Sequence, residues 1–168
     1  MTSADSSANF SYTRVFNAPR ELVFRTMTET EHLTSWWGPA GCSIDVLNNA
    51  PQAGGQFFYC MRFAPGVEMH GIFDYLEVTA PERIVYINGF ADAEGQRIRH
   101  PMTPSWPLEM HNTVTLSVED GGKTRMTLVS SPVNASDIEV ETFKAGRSAM
   151  EQGFGGMYEA YERYLATL

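Results

Sequence analysis

The alternation of apolar and polar residues along the chain predicts an antiparallel sheet. Neighbouring predicted strands are joined by short turns, which pair sequential strands antiparallel. Gly71 lies in a long strand whose alternation is imperfect, and it predicts a β-bulge that curves this strand. The predicted strands cover residues 10–16, 42–48, 56–63, 67–78, 83–90, 109–118 and 123–131.

Two short helices are predicted between the first and second strands. An apolar stripe that includes Leu22 and Met27 indicates the first helix. Thr28 and Glu31 have the spacing of a capping box, in which a hydroxyl and a carboxylate satisfy the free N–H groups of a helix start. The second helix is therefore predicted to begin at Thr28 and to end near residues 36–39.

A long C-terminal helix is predicted after a second capping box, formed by Ser136 and Glu139. Glycines within it each cost a helix about 1 kcal/mol relative to alanine, so they indicate close backbone contact or open space beside the helix. A twisted antiparallel sheet with helices on one face curls around the longest of them. The apolar face of the C-terminal helix comprises Met150, Phe154, Met157, Tyr158, Tyr161 and Leu165.

These elements predict an α+β fold, with a curved antiparallel six- to seven-stranded sheet, two short helices and a long C-terminal helix. The chain has 168 residues, of which 43% are hydrophobic, and this size is typical of one domain. We expect that domain to span residues 10–168, with residues 1–9 as a disordered tail. Residues 91–108 form a long loop with three prolines, typical of a functional lid.

Charge and composition exclude several classes of partner. The net charge of −8 disfavours nucleic acid and anionic lipid surfaces, because both repel an acidic chain. The sequence contains no apolar run of membrane-spanning length, and residues 1–9 lack the basic and apolar regions expected of a signal peptide. Cys42 and Cys60 are expected to be free thiols, so a cytoplasmic location is the default prediction.

Four segments of the chain, taken in order, resemble a known family. The resemblance is to the START-like, birch-pollen-allergen-like superfamily with the helix-grip fold, also called SRPBCC. Within it, the chain is similar to homologues of the activator of the heat-shock protein ninety ATPase (Aha-type). The matching segments are NAPRELVF (residues 17–24), LTSWWGP (33–39), MHGIFDYLEVTAPERIV (69–85), and QGF with YERYL (152–154 and 161–165).

Aromatic and methionine side chains indicate a cavity under the C-terminal helix. Such side chains are also the usual filling of a core, but the helix-grip resemblance implies a cavity. Adjacent Trp36 and Trp37 point about 100° apart on a helix, so one can fill the core while the other lines the cavity mouth. The candidate ligand-binding residues are Trp37, Tyr59, Met61, Met69, Phe73, Tyr86, Trp106, Met110, Met150, Phe154 and Met157.

Candidate catalytic groups are few. Glu68 and His70 share a strand face and could act as a base with its orienting group, facing Asn88 or His111 across the sheet. A solvated structural pair is the alternative. The histidines lack HxxxH spacing and there is no nucleotide-binding motif, so the sequence predicts neither a metal nor a cofactor.

Three functions follow from these patterns. The first is binding of a small hydrophobic, aromatic or lipid-like ligand in the cavity. The second, implied by the family resemblance, is association with a heat-shock chaperone in a stress response. The third is a cyclase or hydratase that uses the cavity, with Glu68, His70 or His111 as acid or base. A monomer and a homodimer are both compatible with the sequence.

Overall fold

The computed structural model describes residues 8–168 and has the predicted α+β architecture. The helices are Arg20–Thr28 (α1), Thr30–Trp36 (α2), Asp137–Ala145 (α3) and Arg147–Leu165 (α4). The strands are Phe10–Phe16 (β1), Ser43–Asn49 (β2), Gln56–Ala64 (β3), Val67–Thr79 (β4), Arg83–Ala91 (β5), Arg97–Ile98 (β6), Glu109–Glu119 (β7) and Lys123–Val133 (β8). Most of the predicted tail, residues 1–7, lies outside the described residues.

Seven strands form one antiparallel path in the order β1-β8-β7-β5-β4-β3-β2. The two-residue strand β6 lies in the predicted loop and pairs with the end of β5. Because β1 and β2 occupy opposite edges, helices α1 and α2 carry the chain across the sheet from one edge to the other. The C-terminal helix α4 packs against β1 and α2. The predicted helix-grip fold is confirmed.

The bulge that curves β4 lies at Leu76, so the prediction of a bulge at Gly71 was wrong. The β4–β5 register shifts between Tyr75 and Glu77, and the intervening Leu76 is half exposed. Gly71 pairs regularly with Tyr59 on β3. A Cβ atom at Gly71 would lie 2.4 Å from the Tyr59 hydroxyl oxygen. Glycine is therefore required at this position because the tyrosine ring crosses over it.

The capping box predicted at Thr28 is absent. Thr28 is the last residue of α1, and its hydroxyl donates a hydrogen bond to the Phe24 carbonyl at 2.9 Å. Helix α2 begins two residues later, with Glu29 in the N-cap position and no side-chain cap. The hydroxyl of Thr28 thus satisfies the preceding helix instead of the following one, a choice that residue spacing does not reveal.

The second capping box is confirmed, but the helix that follows is divided. Ser136 Oγ accepts from the Glu139 backbone N–H at 3.2 Å, and the Glu139 carboxylate accepts from the Ser136 backbone N–H at 3.1 Å. The predicted single helix is interrupted at Gly146, which separates α3 from α4. A Cβ atom at Gly146 would lie 2.8 Å from the ring of Trp106, so the indole occupies the break.

The C-terminal half of α4 is packed tightly against the sheet and α2. Tyr161 is fully buried, and its ring centroid lies 4.3 Å from that of Trp36 and 4.9 Å from that of Phe16. Its hydroxyl shares a 2.7 Å hydrogen bond with the Thr26 hydroxyl.

Within residues 8–168, no helix has the length and apolar character needed to cross a membrane.

Candidate functional site

The N-terminal half of α4 does not fill the concave face of the sheet. Two chambers, with volumes of about 410 Å³ and 390 Å³, lie between this half of the helix and the inner sheet face. We call them the inner and the outer chamber, respectively. They adjoin because part of their lining is common to both. The shared lining residues are Tyr59, Asn88, Phe90, Met150 and Phe154.

All of the predicted ligand-binding residues except Met69 border these chambers. Met69 instead packs partly buried against the core and lines a separate surface pocket beside Glu68 and His70. Of the predicted residues, those that line only the inner chamber are Trp37, Met61, Phe73, Tyr86 and Met157. Trp106 and Met110 line only the outer chamber. The structure thus gathers these side chains from β3, β4, β5, β7, α4 and the loops, while their binding role stays a prediction.

The two adjacent tryptophans have different surroundings, because Trp36 ends α2 and Trp37 lies just beyond it in extended conformation. Trp36 is buried in the core, and its indole N–H donates to the Thr26 carbonyl at 2.7 Å. Trp37 follows the end of α2 and borders the inner chamber. Its ring meets Phe73 edge-on at a centroid distance of 5.4 Å and contacts Tyr59 in the same manner at 6.1 Å. Trp37 therefore forms part of an aromatic wall.

Two asparagines add a polar cluster to the apolar lining. Asn112 is buried, and its amide nitrogen donates to Asn88 Oδ1 at 2.6 Å and to the Met110 carbonyl at 3.1 Å. These two bonds use both N–H donors of Asn112. The amide N–H groups of Asn88 have no hydrogen-bond partner among residues 8–168. Because Asn88 borders both chambers, its donors are available to a ligand.

Sequence reasoning did not select this asparagine pair for the cavity, although a signal was present. Strand β7 directs Met110, Val114 and Leu116 inward, and Asn112 occupies the same alternating row. A polar residue in an otherwise apolar inward row requires hydrogen-bond partners inside the protein. In the β5–β7 register, Asn112 lies opposite Tyr86, which lines the inner chamber.

Two tyrosine hydroxyls face the chambers in their neutral form. Burial raises the pKa of Tyr59 to about 12, and the nearby Trp37 side chain partly offsets this effect. Burial raises the pKa of Tyr86 well above its ordinary value. The Tyr86 hydroxyl has no hydrogen-bond partner in the described part of the chain. Both groups therefore retain their protons at neutral pH and can donate hydrogen bonds.

The long loop between β5 and β7 forms a wall of the outer chamber. His100 meets Phe90 edge-on, with ring centroids 4.7 Å apart. Its Nδ1 accepts from the backbone N–H groups of Met102 and Thr103, both at 3.1 Å, so in the neutral ring Nε2 carries the hydrogen. The loop is fastened to α3 by an ion pair between Arg99 and Glu139 at 2.5 Å.

The predicted acid–base residues do not reach either chamber. His70 pairs with Cys60 and Ala91, whereas the neighbouring Gly71 belongs to the inward row. Since successive strand residues point to opposite faces, Glu68 and His70 lie on the outer face of the sheet. The prediction that this pair faces Asn88 was wrong, because Asn88 lies on the inner face.

His111 is also on the outer face, but it does not meet His70. Its partner on β5 is Ile87, whereas the partner of His70 is Ala91. These two β5 residues are four positions apart, which corresponds to about 13 Å along a strand. The imidazoles of His70 and His111 therefore belong to different regions of the same surface. Among residues 8–168, His100 is the histidine that borders a chamber.

The lining that the structure describes contains no Asp, Glu, Lys or Arg side chain. Its polar side chains are the tyrosine hydroxyls, the two amides, His100 and Thr103, and Trp37 and Trp106 each carry an indole N–H. A charged ligand group would lose its hydration here without gaining an opposite charge, which is strongly unfavourable. The chambers are consequently suited to neutral molecules.

The curved sheet, the long helix and the cavity between them define a START-like domain of the helix-grip class. Residues 17–166 match the family model described as "Activator of Hsp90 ATPase homolog 1-like protein". This match covers most of the chain, so the chain belongs to that family. The resemblance seen in the sequence is thereby confirmed. Among curated proteins no match is found.

Solved structures of bacterial proteins share this fold over nearly the whole chain. A Staphylococcus epidermidis protein is 28% identical with a TM-score of 0.77, covering 99% of this chain and 94% of its own. An Arthrobacter aurescens protein is 24% identical with a TM-score of 0.79, covering 99% and 92%. An AHSA1 protein from Silicibacter pomeroyi is 18% identical with a TM-score of 0.68, covering 95% and 98%. The last two comparisons concern the fold alone.

Proposed function

We propose that this protein binds a neutral, largely apolar small molecule in the two adjoining chambers under α4. The observation that carries this proposal is the chamber lining, which is apolar and aromatic apart from a few neutral polar groups. Each volume lies within the range of about 300–1,000 Å³ that is typical of small-molecule sites. Aromatic rings line both chambers, so a ligand with an aromatic or lipid-like body would match them.

The polar groups favour a ligand that carries a hydrogen-bond acceptor, such as a carbonyl or ether oxygen. Asn88 offers two N–H donors and Tyr86 offers a hydroxyl, and none of these is used by the residues described. His100 adds an N–H donor at the outer chamber. A ligand oxygen near Asn88 would accept hydrogen bonds from N–H groups that have no acceptor among the described residues. This arrangement would orient the ligand without a charged contact.

The proposal is tested with two neutral fluorescent probes. Prodan is an aromatic ketone, and diphenylhexatriene is a hydrocarbon without polar groups. Both are expected to bind saturably and to show enhanced emission, and prodan should also shift to the blue. At a free probe concentration of 100 times its Kd, the free energy of unfolding should rise by about 2.7 kcal/mol. The proposal would be contradicted if neither probe showed saturable binding.

Asn88→Leu separates the polar contact from simple apolar binding. Losing a hydrogen bond to the ketone is worth about 1.5 kcal/mol, so prodan affinity should fall about tenfold while diphenylhexatriene affinity is retained. Asn48→Leu, at an exposed position of β2, is the matched control and should bind both probes like the wild type. Equal loss of both probes in Asn88→Leu would show that the amide supports the fold instead of recognising an oxygen.

The other two functions rest on less specific support. The family description names a chaperone ATPase activator, and titration with a purified Hsp90-type chaperone would test such association for this chain. The acid–base groups named for cyclisation or hydration, Glu68, His70 and His111, lie on the opposite sheet face, and the imidazole beside the chambers is that of His100, whose Nδ1 already accepts two backbone hydrogen bonds. We therefore place binding without turnover first, and unchanged probe chemistry after long incubation would agree with it.

A further inference from the structure

The outer face of the β3–β4 hairpin brings a thiol, a carboxylate and an imidazole together. Cys60 and His70 are register partners, and Glu68 lies on the same face of β4 two residues before His70. One ligand atom from each residue lies within 4.8 Å of the other two. Cys60 is buried, while Glu68 remains open to solvent, so an ion has an entry path. This cluster is separated from the chambers by the sheet itself.

We propose that Cys60, Glu68 and His70 bind Zn²⁺, or another divalent ion of similar borderline softness, on this outer face. A thiolate, an imidazole and a carboxylate are zinc ligands, whereas Mg²⁺ and Ca²⁺ select oxygen ligands alone. Three protein ligands leave the fourth tetrahedral position for water or an exogenous group. The proposal is independent of ligand binding in the chambers.

The distances fit a tetrahedral ion after small side-chain movements. With a Zn–S bond of about 2.3 Å and a Zn–O bond of about 2.1 Å, the sulfur and oxygen of one tetrahedron lie about 3.6 Å apart. The Cys60 Sγ and Glu68 Oε2 atoms are 3.7 Å apart. The imidazole nitrogen must approach these atoms by no more than about 1.5 Å, which rotation of an only partly buried side chain can supply.

Arg62 is the competing cation at this site. Its guanidinium pairs with Glu68 and, at 2.7 Å, with Asp45 on the neighbouring strand β2. Arg62 holds Glu68 through Oε1, whereas Oε2 faces Cys60, so an ion bound at Oε2 would lie close to the guanidinium charge while Asp45 keeps its contact with Arg62. The Cys60 thiol releases its proton to solvent as the sulfur–metal bond forms. Removing the Arg62 charge should therefore strengthen metal binding.

The spacing of Cys60, Glu68 and His70 in the sequence does not indicate that they lie together. The thiol lies eight and ten positions before the other two ligands, across the turn between β3 and β4. Only the strand register, which opposes residue 60 to residue 70, brings them together. The prediction of no metal rested on the absence of HxxxH and His-x-His pairs, and neither pair is needed when the ligands come from two strands.

Cobalt substitution tests the proposal on the full chain. Titration of reduced protein with Co²⁺ should give a near-ultraviolet thiolate-to-cobalt charge-transfer band, and Zn²⁺ should abolish it by competition. Cys60→Ser should remove the band, and His70→Gln should weaken Co²⁺ and Zn²⁺ binding by more than about tenfold. Arg62→Gln should tighten binding, because a neutral amide replaces the competing charge. Thermal unfolding shows whether each variant remains folded.

Cys42→Ser and His111→Gln are the matched controls, since both side chains are of the ligand types but lie outside the cluster. Each should leave the cobalt spectrum and the affinity unchanged. Absence of a charge-transfer band in the wild type, its persistence in Cys60→Ser, or its loss in Cys42→Ser would overturn the assignment. A folded Arg62→Gln variant that binds Zn²⁺ more weakly would also overturn it, because the guanidinium would then support the site instead of competing.

Discussion

Replacing Gly153 by leucine is expected to raise the free energy of unfolding and to lower ligand affinity. It lies within α4 and borders the inner chamber, and a Cβ atom there would meet nothing within 4 Å. Gly156 lies in the same helix with equally open space, but it borders neither chamber. The two positions form a matched pair for replacement by leucine, one beside the cavity and one away from it.

The expected magnitudes follow from helix propensity and from packing. Replacing glycine by a good helix former stabilises a helix by about 1 kcal/mol, which corresponds to about 2–4 °C in Tm at this chain size. Both leucine variants should show this gain, and Gly153→Leu should add to it by covering apolar chamber surface. A bound ligand must then share the chamber with four added carbon atoms. An overpacking penalty of about 1–3 kcal/mol lowers affinity by about 5- to 150-fold.

The assay combines thermal unfolding without ligand with prodan and diphenylhexatriene titrations of the wild type, Gly153→Leu and Gly156→Leu. Gly153→Leu should be more stable than the wild type and bind both probes more weakly, whereas Gly156→Leu should be more stable with unchanged affinity. Equal probe affinity in the two variants would refute the placement of the ligand beside Gly153. Destabilisation of Gly153→Leu would show that the open space beside this residue is not available to a side chain.

Three further outcomes are expected. Gly71→Ala should lower the free energy of unfolding by about 1–3 kcal/mol and weaken prodan binding, because the new Cβ pushes the Tyr59 ring toward the chambers; urea unfolding and fluorescence titration measure both. Tyr161→Phe should cost about 1 kcal/mol through loss of its hydrogen bond to Thr26 while leaving probe affinity unchanged. Tyr59 has its pKa raised from 10 to about 12, so the unfolded chain loses this proton first and stability should fall between these two pH values. Urea unfolding at stepped pH checks this, and Tyr59→Phe should remove up to about 2–3 kcal/mol of that decline.

Much of the fold could be predicted because its information is local. Period-two alternation defined the seven long strands, and the spacing from Met150 to Leu165 defined the face of α4 that meets the sheet. The capping box at Ser136 has both of its hydrogen bonds. At Thr28 the same spacing failed, because a threonine hydroxyl can bond backward to its own helix as easily as forward. Local patterns leave that competition undecided.

The site was predictable in composition but not in arrangement. The aromatic and methionine side chains proposed for the cavity border the chambers, apart from Met69. Parity along a strand, however, does not state which face of the sheet is concave. His70 and Glu68 were therefore assigned to the cavity although they share the outer face with Cys60. Asn88 and Asn112 meet across two strands that are not consecutive in sequence, β5 and β7. Such pairs become visible only when the register is known.

The distribution of packing along α4 explains why a cavity can persist beside an apolar helix. At the C-terminal half, Tyr161 and Leu165 are buried in a continuous core, and this contact holds the helix against the sheet. At the N-terminal half, Gly153 supplies no side chain to fill the space, and Asn88 presents an amide that apolar collapse would bury without partners. Helix α4 is thus held against the sheet by its C-terminal half, while its N-terminal half leaves space between helix and sheet. Because different residues of α4 perform these two tasks, changes in its N-terminal half beside the chambers should alter ligand affinity with little loss of fold stability.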